Sequence, residues 1–448
     1  MPRSTPFLLA LLLVTLALPA RAQMPPDTLA ARIDALFAPW DRPDVPGAAV
    51  AVVKDGEIVY QRGYGIANLE YDIAITPSTV FLVASVSKQF TAFAVAMLAE
   101  QGLLSLDDDV RQYVPEMPDY GKPITIRHLI HHTSGLRDEF DLLAMAGYHM
   151  DDVITKEAIL DLAYRQHALN FSPGAEHLYS NTGYTLLAEI VERVTGQSFR
   201  AWTTEHLFEP LGMAHSHFHD DHQMIVKNRA QGYAQKDEGG YKKQVVNYAS
   251  VGASGLYTTV EDLARWLNNF EDGAVGGPRV LAQVNTRGRL ANGDTLSYAF
   301  GQYVGAYKGL VRVSHGGSHR GSRTYLIRFP TKRLAVILLS NLDEFQPTDM
   351  ALKVADLYLA EPPDRLADYE GAYYSEELGT TYRLAVKDGR LVAQHRRYED
   401  IPLTPSGPDA FSSDTWFFRT LTFTRAGGRV TELRVTNNRA RNLRFVKL

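Results

Sequence analysis

The β-forming stretches of this 448-residue chain lie far apart in sequence. Near the N-terminus, "AAVAVVKDGEIVYQRGYG" (48–65) places two β-rich runs around Asp55-Gly56. That dipeptide tolerates a left-handed backbone, so the pattern predicts a hairpin. From about 297, "LSYAFGQYV", "GLVRVSHGG", "SRTYLIRFP" and "KRLAVILLSN" read as four consecutive strands. Between the two ends, residues 105–270 read as mostly helical with long polar loops. Residues 27–40 read as a helix, and 88–102 as another, with Phe90, Phe93, Ala94, Met97 and Leu98 at helical spacing. Strands at both ends and helices between them leave few options. The expectation is an α+β fold in which one antiparallel sheet, flanked by helices, is closed by pairing of distant segments around an all-helical insertion.

A second unit follows. "AEPPDRLAD" (360–368) has the paired prolines and charges of a boundary. Beyond it come eight short alternating runs, "GAYYSE", "TYRLAVK", "RLVAQH", "DAFSS", "TWFFRT", "LTFTRA", "RVTELRV" and "ARNLRFVKL", punctuated by Asp388-Gly389, Gly427-Gly428 and Asn437-Asn438. Short strands at close spacing predict a small antiparallel barrel or sandwich over 366–448. The first domain then spans 23–360.

The first 22 residues read as a signal peptide. Arg3 supplies a positive start, "FLLALLLVTLALP" (7–19) an apolar core and "ARA" (20–22) a small-x-small cleavage site. The apolar run is shorter than the ~20 residues of a membrane span. The reading is an exported protein, periplasmic or secreted, with no stable membrane span after cleavage. The chain has no cysteine, which excludes disulfides, thiolate metal sites and a cysteine nucleophile. A net charge of −5 gives no electrostatic footing for nucleic acid. The sequence carries no mark of oligomeric state.

"FLVASVSKQF" (81–90) raises a chemical question. Ser85 and Lys88 stand three apart, one above the other if the helix starts there, whereas Ser87 points about 100° away. A serine hydroxyl needs a neighbouring base to attack. A lysine in a dry pocket can lose its proton and serve as that base. The helix N-terminus favours negative charge on Ser85. Alone, Ser-x-x-Lys is equally a helix start with a surface lysine. Two more elements give it context: Tyr179-Ser180-Asn181 in a polar turn before an amphipathic helix, and His315-Gly316-Gly317 at the end of a strand.

Taken in order, these three elements resemble the penicillin-recognising serine hydrolases: class C β-lactamases, the related DD-carboxypeptidases and D-aminopeptidases, and their esterase cousins. "LIHHTSGL" (129–136), "LFEPLGM" (207–213) and "GASGLYTTVEDLARW" (252–266) fit the same family, and the resemblance covers about 30–345. It implies a β-lactamase/transpeptidase-like fold, and for the C-terminal unit a lipocalin-like barrel. It also implies roles. Ser85 attacks the carbonyl, and Lys88 and Tyr179 share proton transfer. Asn181 donates to the substrate's carbonyl and to Lys88. His315 offers a polar edge near Tyr179, and Gly316 and Gly317 let substrate lie along the strand. The backbone N–H groups of Ser85 and Ser318 form the oxyanion hole, each such donor worth ~3 kcal/mol. Tyrosine in the second element is similar to the class C and DD-peptidase branch. Histidine in the third is closer to peptidases and esterases than to dedicated β-lactamases.

Other features point elsewhere. "HSHFHDDH" (215–222) has metal-ligand residue types but reads as a solvated loop, and His131 and His132 read as structural. "GGSHRG" and "GASGL" lack the spacing of a Gly-x-Ser-x-Gly elbow. The expectation is a serine hydrolase that cleaves amide or ester bonds in a peptide or small-molecule substrate, without metal or cofactor. The alternatives are a β-lactamase proper, or a non-catalytic ligand-binding or penicillin-sensing protein.

Overall fold

The computed structural model describes residues 26–359, 363–407 and 409–448. The expected signal peptide lies outside the described residues. Among these, two compact units separate, one built from 31–359 with 406–407 and the other from 26–30, 363–405 and 409–448.

The first unit is organised by a six-stranded antiparallel sheet drawn from both ends of its sequence, as the β-rich runs predict. Strands β1 (Ala48–Lys54) and β2 (Glu57–Tyr64) form the hairpin, with Asp55 and Gly56 both at positive φ. Strands β3 (Tyr303–Tyr307), β4 (Leu310–His319), β5 (Ser322–Phe329) and β6 (Leu334–Ser340) complete it in the order β3-β4-β5-β6-β1-β2. The closing pair is β1 with β6, in register from Ala48↔Ser340 to Lys54↔Leu334. Both strands are almost wholly buried, which is why they read as continuous apolar runs rather than alternating ones.

One strand differs from expectation. "LSYAFGQYV" does not begin a strand at 296; β3 starts at Tyr303. Gly301, at φ +68, turns the chain so that its Cα rests on the backbone of Lys88 and Gln89, where an added Cβ would stand 2.6 Å away. The apolar residues Tyr298, Ala299 and Phe300 are buried by this loop, not by a sheet. The middle of the unit is also less uniformly helical than predicted. A hairpin pairs 232–235 with 241–244 across Gly239 and Gly240, both at positive φ.

Helices cover both faces. On one lie α1 (Pro26–Phe37) and, from the end of the unit, the helix at 347–359, around a core holding Phe37, Val50, Val52, Ile327 and Val336. On the other lies α2 (Ser87–Glu100), buried on nearly every side. A helix apolar all round belongs inside a protein. Phe90 stacks on Trp266 at 4.0 Å, and Trp266 Nε1 donates to Gln89 Oε1 at 3.1 Å. The short α3 (Glu139–Met145) and longer α4 (Asn181–Thr195) pack in the same layer, α4 ending on Gly196 in the left-handed conformation.

The second unit is a closed eight-stranded antiparallel barrel with neighbouring strands in sequence order. The count is as predicted, but one strand is exchanged. "TWFFRT" is a loop up to Arg419, whereas Tyr398–Gly407, not among the runs read as strands, is a strand. Pro402 sits opposite Val392 in the regular part of that pairing, and the register shifts further along, between Ala393 and His395. The barrel interior is filled by Tyr373, Leu384, Leu403, Phe423, Leu433 and Phe445.

Candidate active site

Ser85 lies in a single 3₁₀ turn, Ala84–Val86, that runs directly into α2. Ala84, just before it, is a non-glycine residue at φ 47. Such a backbone costs ~1–3 kcal/mol and persists only where its surroundings impose it. Here β5 imposes it: Thr324 Oγ1 donates to Val83 O at 3.0 Å and Ser322 Oγ donates to Leu82 O. β4 presses from the same side. A Cβ on Gly317 would stand 2.2 Å from Val83 O and 2.3 Å from Thr324 Oγ1. That glycine was expected to make room for substrate. Its hydrogen side chain instead admits the Ser85 turn against the sheet, and Gly316 is the more open of the two.

The two serines part as helix geometry predicts. Ser87 is fully buried and its Oγ accepts from Leu256 N at 3.1 Å. Ser85 lines a cleft of about 690 Å³ together with Tyr179, His315, Gly316, Gly317 and Ser318. Lys88 is fully buried beneath it. Lys88 Nζ donates to Asn181 Oδ1 at 2.7 Å and Ala253 O at 2.8 Å, and reaches Ser85 Oγ at 3.3 Å. Burial pushes the ammonium well below the usual lysine range, against the opposing pull of Glu139 and Asp138. The "GASGL" segment thus has a structural part: it supplies the Ala253 carbonyl to Lys88 and the Leu256 amide to Ser87, and its Gly252 carbonyl accepts from Thr91 at 2.8 Å.

Asn181 opens α4, and its orientation corrects one expectation. It does not donate to Lys88; it accepts from it. Its Nδ2 donates to Asp138 Oδ2 at 2.9 Å, and its backbone N donates to the same oxygen at 2.6 Å. Asp138 therefore fixes which end of the amide faces the lysine. Asp138 also caps α3, accepting from Phe140 N. Its neighbour Glu139 is buried, accepts from Tyr248 Oη and from Thr185 Oγ1 (2.7 Å), and is raised by burial.

The Tyr179 hydroxyl is buried with no well-formed hydrogen bond. Burial raises its pKa well above the phenol range, and Ser85 is the neighbour that favours its ionised form. Lys88 Nζ sits 4.8 Å from the Tyr179 ring centre, over its face rather than at its hydroxyl. His132, at φ 56, packs 4.2 Å from the same ring and accepts from Ser180 N at 3.2 Å, a structural placement.

His315 lies 6.2 Å from Tyr179, ring to ring, but its nitrogens are engaged elsewhere. Nδ1 donates to Gly316 O at 2.6 Å, so Nε2 accepts from Tyr298 Oη at 3.1 Å. Burial, with Lys88 adding to it, lowers its pKa to about 3. The imidazole is neutral at ordinary pH and brings no positive charge to the cleft.

Asp138, Glu139, Tyr298 and Ala253 escaped sequence reading. Asp138 directly continues "HHTSGLR" and precedes an apolar-periodic run, an N-cap signal that was there to use. Tyr298 was hidden inside a predicted strand. The 215–222 segment is not the solvated loop expected. Ser216, Phe218 and His219 are buried, residues 217–218 pair with 256–257, and Asp220 contacts Arg200 at 3.2 Å. Among the described residues no His/Asp/Glu group is placed to hold a metal ion.

An antiparallel sheet beside a serine, a buried lysine and a tyrosine is the framework of a serine hydrolase. The chain belongs to the β-lactamase family, whose model matches residues 32–360. It is 27% identical to the D-aminopeptidase of Gluconobacter oxydans (strain 621H) over 369 residues, 81% of this chain and 70% of that protein. It is 28% identical to penicillin-binding protein 4* of Bacillus subtilis (strain 168) over 400 residues, 81% and 86%. Among solved structures, the octameric penicillin-binding protein homologue from Pyrococcus abyssi aligns with a TM-score of 0.65 at 27% identity, covering 94% of this chain and 99% of that one.

Proposed function

We propose that the cleft hydrolyses amide or ester bonds through an acyl-enzyme on Ser85, in a hydrolase domain at 23–360 followed by a barrel domain at 366–448. The observation that carries the reading is the bonding of Lys88. A neutral amine has two N–H donors and one lone pair. Asn181 Oδ1 and Ala253 O take the two donors, which leaves the lone pair for the proton of Ser85 Oγ, the longest of the three contacts. Burial favours neutral Lys88 and neutral Tyr179 together, so the lysine is the first base and the phenol the acid.

Ser85 Oγ bonds to the carbonyl carbon as its proton passes to Lys88. The backbone N–H groups of Ser85 and Ser318 receive the oxyanion. On collapse Tyr179 protonates the leaving nitrogen or oxygen, and because Lys88 Nζ lies over the ring face, the proton it took from Ser85 returns to the phenolate through a water in the vacated cleft rather than directly. Water then releases the acyl group by the same steps reversed.

The relatives named D-aminopeptidase favour a peptide substrate with D-residues, and the one named for penicillin binding keeps a β-lactam among the compounds to test. A small ester fits the same chemistry. The N-terminal signal pattern supports export to the periplasm or beyond. Among the described residues no helix is long and apolar enough to cross a membrane. A non-catalytic role for the barrel as a ligand cage is disfavoured by its filled interior.

The test is turnover of D-amino-acid amides, acyl-D-Ala-D-Ala peptides, p-nitrophenyl esters and nitrocefin by the purified protein. Peptide or ester turnover that vanishes in Ser85→Ala supports the reading. Fast nitrocefin turnover with none of the others would make the protein a β-lactamase. No turnover of any would return the sensor alternative.

A further inference from the structure

We propose that the far arm of the cleft, around the sheet edge from Ser85, binds an anionic group of the substrate through Arg312. The inference rests on the acyl-enzyme reading and adds a substrate class: peptides or amides carrying a carboxylate remote from the bond that breaks.

β3 pairs with β4 only from Leu310 to Ser314. From His315 to His319 the outer edge of β4 has no strand beside it among the described residues, and the cleft wraps over that edge. Side chains alternate along the strand. His315 and Gly317 face Ser85. Arg312, Ser314 and Gly316 face the other way, toward Tyr325, Phe345 and the start of the helix at 347–359, and they line the same cleft. A substrate long enough to cross Gly316 therefore meets Arg312, three residues and roughly 10 Å along the strand from His315.

Arg312 is half-buried, forms no ion pair among the described residues, and its Nε is buried without a partner. Opposite it in β3 stands Gly305, whose Cβ position would be 3.8 Å from Arg312 Nη2, so no side chain there crowds the guanidinium. Ser314 Oγ accepts from Tyr325 Oη at 3.0 Å, which leaves its own proton to donate. The other guanidinium in the cleft, Arg323, is neutralised by Asp343 at 2.8 Å. No Asp or Glu lines the cleft. Asp356 interacts with neighbouring Tyr307 and is bonded to it and to Lys308. A planar guanidinium with free N–H groups in a cleft without carboxylates is a receptor for a carboxylate. The same charge balance opposes a free ammonium there.

The test uses matched chromogenic amides that differ only in a succinyl or an acetyl cap, made with the cap on the acyl side and, separately, on the leaving-group side. The wild-type protein is first assayed on a neutral p-nitrophenyl ester. Turnover there, lost in Ser85→Ala, establishes the acyl-enzyme reading independently. The proposal expects the succinyl compound of one pair to be preferred in kcat/KM by roughly tenfold or more. That preference should fall toward unity in Arg312→Gln, be partly kept in Arg312→Lys, and shrink as salt rises. Ester turnover with no succinyl preference in either pair, or a preference that Arg312→Gln leaves intact, would overturn the Arg312 subsite while sparing the reading of Ser85. Absent ester turnover, with no labelling of Ser85 by a fluorophosphonate, would remove both.

Discussion

The two units bury opposite kinds of side chain. The barrel closes around Tyr373, Phe423, Leu433 and Phe445, with polar residues alternating outward. The first unit, beside a larger apolar core, also buries Lys88, Glu139, His132 and His315 within one neighbourhood. Taking such groups from water costs several kcal/mol each unless partners offset it. The barrel interior is what a chain does to be stable. The Lys88 neighbourhood is what a chain tolerates in order to hold proton-transfer groups in fixed protonation states. The lesson is that a cluster of titratable groups buried beside one serine, rather than apolar packing, marks the candidate site; single buried groups elsewhere, such as Asp262 and Arg328, are held by structural hydrogen bonds.

That contrast is broken most severely by removing the charge-handling groups. Lys88→Met should lower kcat/KM on an ester or peptide by about 10³-fold or more, since a general base contributes ~10²–10⁴. Steady-state kinetics on folded variant checks it, and near-wild-type turnover would take the lysine out of the mechanism.

Next comes geometry. Gly317→Ala places a methyl within 2.3 Å of Val83 O and Thr324 Oγ1, so β4 and the Ser85 turn must separate. A displacement of ~1 Å at a reacting centre costs about 10²-fold. The fall should appear in kcat, while Gly316→Ala, at the more open position, should cost much less.

Electrostatic tuning is smaller and has a sign. Glu139 favours the charged form of Lys88, which must be neutral to accept the serine proton. Glu139→Gln should move the acid limb of kcat/KM to lower pH, because an uncharged neighbour makes the ammonium easier to deprotonate. A pH–rate profile reads this directly; a shift to higher pH would reverse the assignment. His315 lies lower, at about 3, and should leave no inflection in the limb near neutrality.

The smallest effect on chemistry is expected at Ser87. Ser87→Ala leaves the Leu256 amide without its acceptor and should cost ~1–3 kcal/mol of stability, read by denaturant unfolding. Covalent labelling at Ser85 should persist.

Much of this was legible in the sequence. The sheet was visible because β1 and β6 are apolar runs bounded by turns, and Ser85 separated from Ser87 on helix geometry alone. Less legible were features created by tertiary contact. Gly317 looked like room for substrate because the Val83 carbonyl that fills the space is more than 230 residues away in sequence. The direction of the Lys88–Asn181 bond is set by Asp138, which no local pattern ties to Asn181. Tyr398–Gly407 was missed as a strand; it carries Pro402 and Pro405, which weaken the local β signal, and its place is set by neighbours in the closed barrel.

The central claim is that Ser85, primed by Lys88, becomes acylated. Incubation of the full chain with a fluorophosphonate or a fluorescent penicillin, followed by proteolysis and peptide mass mapping, tests it most directly. The account predicts one adduct, on Ser85, absent from Ser85→Ala and present in Ser87→Ala. An adduct on Ser87, or none under conditions that label related hydrolases, would contradict it.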